Sequence, residues 1–204
     1  MKNIAIIGSG SWGVALGMHL AENGKNVKIW SFSEEEAELI NKEKKCKFLS
    51  NITIPENIAC YTDMEETIKN SEIILHVTPS KFVRDTIKQY KQYVGNKPVV
   101  MCAKGFEKDT LYTLGQVIEE ELPNSKYAVL SGPSHAEEVS CKIPTAIVIA
   151  SKDKKILEEI QDTFMNENLR VYTSNDVLGV ELRRCIKKYN CFLCRDSKRN
   201  KLRR

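Results

Sequence analysis

Gly8, Gly10 and Gly13 stand between an apolar run, Asn3–Ile7, and a stretch with helical spacing, Val14–Asn23. In a strand–turn–helix unit each glycine has its own task. Gly8 permits a tight turn out of the strand, Gly10 lets the main chain approach a pyrophosphate, and Gly13 lets the helix pack close to the sheet. N–H groups at the helix N-terminus then face the phosphate. Glycines at these intervals also occur in ordinary loops, so the context carries the signal. Gly24 supplies a helix stop, and a second apolar strand, Asn26–Trp30, completes a βαβ unit of about 30 residues.

Further chemistry collects where other apolar runs end. Lys104–Gly105 follows Lys97–Ala103, so the Lys104 ammonium could project into a cleft toward an anionic substrate, or lie solvated at the strand terminus. His135, in the turn Ser131–His135, could serve as an acid-base group or as a hydrogen-bonded structural residue. His76, inside a strand, and His19, on the first helix, read as packing residues, while Trp12 could cap a ligand or fill core space. Glu34–Glu36 follow the second strand, where acids would hold ribose hydroxyls or form a solvated helix start.

Alternating elements must position these groups. Strands are predicted at Glu72–Val77, Lys97–Ala103, Tyr127–Leu130, Thr145–Ala150 and Leu169–Thr173, in addition to the first two. Helices are predicted at Glu34–Glu43, Met64–Asn70, Lys81–Tyr93, Leu111–Glu121, Ala136–Val139 and Lys154–Met165, with Lys44–Cys60 as loop. Apolar strands alternating with amphipathic helices imply an α/β fold with a doubly wound, mostly parallel sheet covered on both faces. Ligands bind such sheets beyond the carboxyl ends of the strands, where the residues above fall.

The bulk properties narrow the function classes. No apolar run among the 204 residues reaches the roughly 18 needed to span a membrane, and Met1 leads straight into a core strand rather than a leader. Seven scattered cysteines, an odd number, suit a reducing cytoplasm. The net charge of +4 hides a division: residues 183–204 hold ten Lys or Arg and one acid, leaving 21 basic and 26 acidic residues before them. An acidic body does not attract nucleic acid, so any such reading rests on the basic tail. The expected organisation is a binding domain over 1–182 and an irregular basic segment over 183–204.

Several motifs together resemble one family. The GSGSWG of Gly8–Gly13, CAKG of Cys102–Gly105, LSGPSHAEEV of Leu130–Val139, RVYT of Arg170–Thr173 and GVEL of Gly179–Leu182 run in the order of the bacterial-type NAD(P)-dependent glycerol-3-phosphate dehydrogenases. The resemblance implies a Rossmann-like domain followed by a helical second domain. It further implies hydride transfer between NAD(P)H and dihydroxyacetone phosphate, giving sn-glycerol 3-phosphate for phospholipid synthesis in the cytoplasm. By the same resemblance Gly8, Gly10, Ser11, Trp12, Gly13, Phe32, Ser33, Lys104 and Ala136 would meet NAD or NADP. Lys104, Gly132 and Ser134 would meet the substrate, and the full-length family would allow a homodimer. Lys104 makes chemical sense there, because hydride addition creates an alkoxide that a nearby cation stabilises.

After Leu182 the chain departs from this pattern. In the family, GGALKN opens the helical domain and contributes the acid-base lysine; here the segment begins RRCIKKYN, and only Lys187 matches by position. Cys191 and Cys194 form a lone C-x-x-C without a second pair, which is weak for zinc and has no βαβ context for redox work. A one-base frame shift offers a simpler origin: codons permitted for the tail, read one base later, give GGALKNII and a family-like continuation. Reading the gene past codon 182 in both frames distinguishes a shifted frame from a genuinely basic segment. As written, the chain is expected to bind cofactor weakly, if at all, and to have little or no turnover. The other readings are a non-catalytic dinucleotide-binding module and a nucleic-acid-binding protein acting through its tail.

Overall fold

The computed structural model describes residues 2–50 and 52–183, so Lys187, Cys191, Cys194 and the remainder of the basic tail lie outside the described residues. The chain runs β1 (Asn3–Ile7), α1 (Ser11–Glu22), β2 (Asn26–Trp30), α2 (Glu34–Glu38), a π-helical turn at Leu39–Glu43, and β3 (Ile58–Tyr61). It continues through α3 (Met64–Ile68), β4 (Ile73–His76), a 3₁₀ turn at Ser80–Phe82, α4 (Val83–Val94), β5 (Val99–Met101) and α5 (Leu114–Glu121). The last elements are β6 (Tyr127–Ser131), α6 (Ala136–Ser140), β7 (Thr145–Ala150), α7 (Lys154–Phe164) and β8 (Leu169–Ser174), with 177–183 helical again.

All eight strands form one sheet in the order β3-β2-β1-β4-β5-β6-β7-β8. Every neighbouring pair is parallel except β6 and β7. Alternation along each strand divides the core into two layers. Ile4, Ile6, Ile29, Leu75 and Leu130 pack with α1 and α7 through residues such as Leu16, Ile160 and Phe164. On the other face, Ala5, Ile7, Ile74, Met101 and Val129 meet Ile87, Tyr90 and Val117 of α4 and α5. Both faces of the central strands β1 and β4 are buried, which is why they read as almost unbroken apolar runs.

Local chemistry sets the helix starts. Ser33, Asp63 and Asp153 cap α2, α3 and α7 through their side chains, and Thr113 with Gln116 forms a capping box on α5. The structure corrects the sequence reading in four places. The helix expected from Leu111 starts at Leu114, because Thr113 is its N-cap and Leu111 has a left-handed φ of 58°. Residues 44–60 were expected as loop, but Ile58–Tyr61 forms the edge strand β3, hydrogen-bonded to β2. The expected helix Glu34–Glu43 changes to π geometry at Leu39. Helix α1 starts at Ser11 instead of Val14, because Gly10 is itself the N-cap.

Candidate functional site

The strand order reverses between β1 and β4, and their carboxyl ends open into a cavity of about 890 Å³. The loop after β1 and the loop after β4 lie against each other there. A Cβ on Gly8 would come within 3.2 Å of the Val77 carbonyl carbon, and Gly8 has a left-handed φ of 127° that favours glycine. The Gly8 N–H donates to the Trp30 carbonyl at 3.0 Å, fixing the loop to the end of β2. Gly13 is packed hardest: its Cβ would lie 2.0 Å from the Gly8 carbonyl oxygen. Gly10 is the opposite case, since a Cβ there meets nothing within 4 Å and Gly10 lines the cavity. The open main chain at the start of α1 suits an anionic group.

On the β2 side, Phe32 is 91% exposed on the cavity wall. Ser33 also lines the cavity, but its hydroxyl is engaged in accepting the Glu36 N–H at 3.3 Å. Among Glu34–Glu36 only Glu36 reaches the wall, where its Oε2 accepts from Ser9 at 2.5 Å and from Ser31 at 3.3 Å. The first two glutamates are exposed on α2. Sequence reading treated the three acids as one group; the phase of the helix separates them.

On the far side, Lys104 lines the cavity after β5 with its Nζ 5.9 Å from the Trp12 ring centroid. Trp12 forms part of the wall, and its indole N–H is buried without a hydrogen-bond partner. Ser134 and Ala136 are buried lining residues, and exposed His135 is the N-cap of α6 with no side-chain capping bond. Gly132 is not among the lining residues. Its Cβ would sit 2.9 Å from the Ala146 carbonyl oxygen, so its requirement for glycine comes from antiparallel β7 passing beside it.

Two polar assemblies hold this side in place. Arg84 on α4 grips Glu107 with both carboxylate oxygens engaged, at 2.6 and 2.9 Å, and also meets Glu120 and Glu121 of α5 at 2.7 and 2.8 Å. The pair anchors the segment that follows Lys104, and the guanidinium holds the Glu107 carboxyl down at about 2. His76 is fully buried, with Nδ1 2.9 Å from the Tyr90 hydroxyl and Nε2 2.6 Å from the Thr78 hydroxyl, which lines the cavity. It is therefore a polar link from α4 to the cavity floor, more than the packing residue that its strand position suggests. His19 does serve as a tie within the core, its Nε2 lying 2.6 Å from the Phe164 carbonyl oxygen.

Burial pushes the His76 pKa down from 6.5 to about 3. An unfolded chain therefore binds more protons than the folded one between those values, so stability falls on acidification through that window. The depressed Glu107 adds a loss as pH falls from its ordinary value of 4.5 toward about 2. Urea midpoints measured at pH 7, 5.5 and 4 should decline steadily, and less steeply in His76→Gln; equal slopes in the two proteins would contradict the assignment.

A doubly wound sheet with a glycine loop opening at its switch point defines a dinucleotide-binding domain. Residues 3–157 match the family model described as NAD-dependent glycerol-3-phosphate dehydrogenase N-terminus, and the chain belongs to that family. It is 46% identical over 184 residues to a glycerol-3-phosphate dehydrogenase [NAD(P)+] of Agathobacter rectalis, covering 89% of this chain and 55% of that protein. A protein of the same name from Fusobacterium nucleatum is 46% identical over 187 residues, covering 89% and 56%. The crystal structure of glycerol-3-phosphate dehydrogenase from Coxiella burnetii superposes with a TM-score of 0.86 at 32% identity, over 90% of this chain and 57% of that one. The chain thus spans little more than half the length of these relatives. No helix among the described residues is long and apolar enough to cross a membrane.

Proposed function

We propose that the domain formed by residues 1–182 is the nucleotide-holding half of an NAD(P)-dependent glycerol-3-phosphate dehydrogenase, acting between NAD(P)H and dihydroxyacetone phosphate to give sn-glycerol 3-phosphate. Gly10 is the observation that carries the reading: with no side chain, and with no protein atom within 4 Å of where a Cβ would stand, it leaves the main chain at the helix N-terminus open to a pyrophosphate. The Trp12 ring stands on the same wall, 5.9 Å from the Lys104 Nζ. Gly8, Gly10, Ser11, Trp12, Gly13, Phe32, Ser33 and Ala136 would hold the dinucleotide, which supplies the hydride. Lys104 would place its positive charge near a carbonyl oxygen that becomes anionic during reduction. Ser134 would stand beside that substrate, with Gly132 shaping the turn that presents it. A cytoplasmic setting, with the product passing to phospholipid synthesis, fits the free thiols at Cys46, Cys60 and Cys141.

The substrate phosphate and the acid-base lysine call for the family's helical second domain, and Lys187 has that position without the family's neighbours. A polypeptide of these 204 residues is therefore expected to oxidise NADH or NADPH with dihydroxyacetone phosphate roughly a thousandfold or more slowly than one continued in the shifted frame. Equal rates would contradict the need for the second domain. A continued chain that binds dinucleotide but stays inactive would favour the non-catalytic module instead.

A further inference from the structure

We propose that Glu36 selects the dinucleotide whose adenosine ribose carries a free 2′-hydroxyl, giving this chain a preference for NADH over NADPH. The inference rests on the dinucleotide reading of the cavity and adds to it a discriminating residue. Ser9 stands between Gly8 and Gly10 in the glycine loop, so its 2.5 Å hydrogen bond to Glu36 Oε2 fixes the carboxylate beside the phosphate cradle. Ser31, at the end of β2, touches the same oxygen at 3.3 Å and the Ser9 hydroxyl at 2.8 Å. The group is thus held by two neighbouring loops and cannot swing freely into solvent.

Both of these contacts fall on Oε2. Oε1 has no hydrogen-bond partner among the described residues, while Glu36 forms part of the cavity wall. A fixed carboxylate oxygen accepts readily from a ribose hydroxyl. It repels a phosphate ester at the same carbon, and no compensating cation stands nearby: the one Lys or Arg among the described lining residues is Lys104, on the opposite side beside Trp12. Phe32 and Ser33, on the β2 side, bring no positive charge. Discrimination therefore comes from a repulsive element as much as from an attractive one.

The test is direct binding of NADH and NADPH to the 204-residue chain, followed by nucleotide fluorescence, in wild type and Glu36→Gln. Wild type should bind NADH about tenfold or more tightly than NADPH, and the variant should bring the ratio within about threefold. The amide keeps the shape and a hydrogen bond to Ser9 but removes the charge. A measurement that needs no variant gives the same decision: adenosine 2′,5′-bisphosphate should displace NADH from wild type about tenfold less effectively than adenosine 5′-monophosphate. A ratio unchanged in Glu36→Gln, or equal displacement by the two adenosine phosphates, would overturn the proposal and leave the dinucleotide reading standing. Binding of neither NADH nor NADPH by wild type would overturn both.

Discussion

Gly13→Ala is expected to destabilise the domain by about 3 kcal/mol or more, at the upper end of overpacking costs. The new methyl carbon would lie 2.0 Å from the Gly8 carbonyl oxygen and 3.1 Å from its carbon. Both are main-chain atoms, so no rotamer change relieves the clash. Relief requires α1 to move away from β1, and Gly8 is itself fixed by its hydrogen bond to Trp30 and its approach to Val77. Gly17→Ala provides the comparison on the same helix. Its Cβ would meet the ends of the Ile29, Ile6 and Val27 side chains at 3.3 to 3.5 Å, which can shift by a few tenths of an ångström. Urea denaturation should show a loss about three times larger for Gly13→Ala than for Gly17→Ala; similar losses would mean that the close helix–sheet approach is not what demands glycine.

Gly10→Val should have the reverse effect, leaving the fold intact and weakening dinucleotide binding about a hundredfold or more. Gly10 has φ −64° and ψ 172°, extended geometry that valine adopts readily, and its Cβ would point where no protein atom lies within 4 Å. The branched side chain would occupy the space over the first N–H groups of α1, and steric exclusion there removes the phosphate contacts that anchor the ligand. A thermal midpoint near wild type with lost binding separates this position from Gly13. Lost stability would show that Gly10 serves the fold.

These two glycines look alike in the sequence, yet their surroundings differ: main-chain atoms of Gly8 crowd Gly13, while a Cβ on Gly10 would meet nothing within 4 Å. The βαβ unit was legible because apolar runs and glycines bound it: β2 falls at Asn26–Trp30 as expected, and Gly24 at φ 72° ends α1. Strand β3 was not legible. It lies at the sheet edge with only alternate residues buried, over four positions in a polar stretch containing Pro55. The reversed direction of β7 also leaves no local mark, since its apolar run Thr145–Ala150 reads the same either way. That reversal gives Gly132 a packing reason to be glycine, since the passing strand leaves no room for a Cβ. Glu36 was hidden among three consecutive acids, because its partners Ser9 and Ser31 meet it only after the glycine loop and β2 are folded together.

Titration of NADH into the 204-residue chain, read by energy transfer from tryptophan to the reduced nicotinamide, tests the central claim most directly. The cavity at the β1–β4 switch point should give a saturable signal that NAD⁺ competes away and that Gly10→Val abolishes at unchanged thermal stability. A signal that does not saturate in wild type, or one that survives undiminished in Gly10→Val, would contradict it.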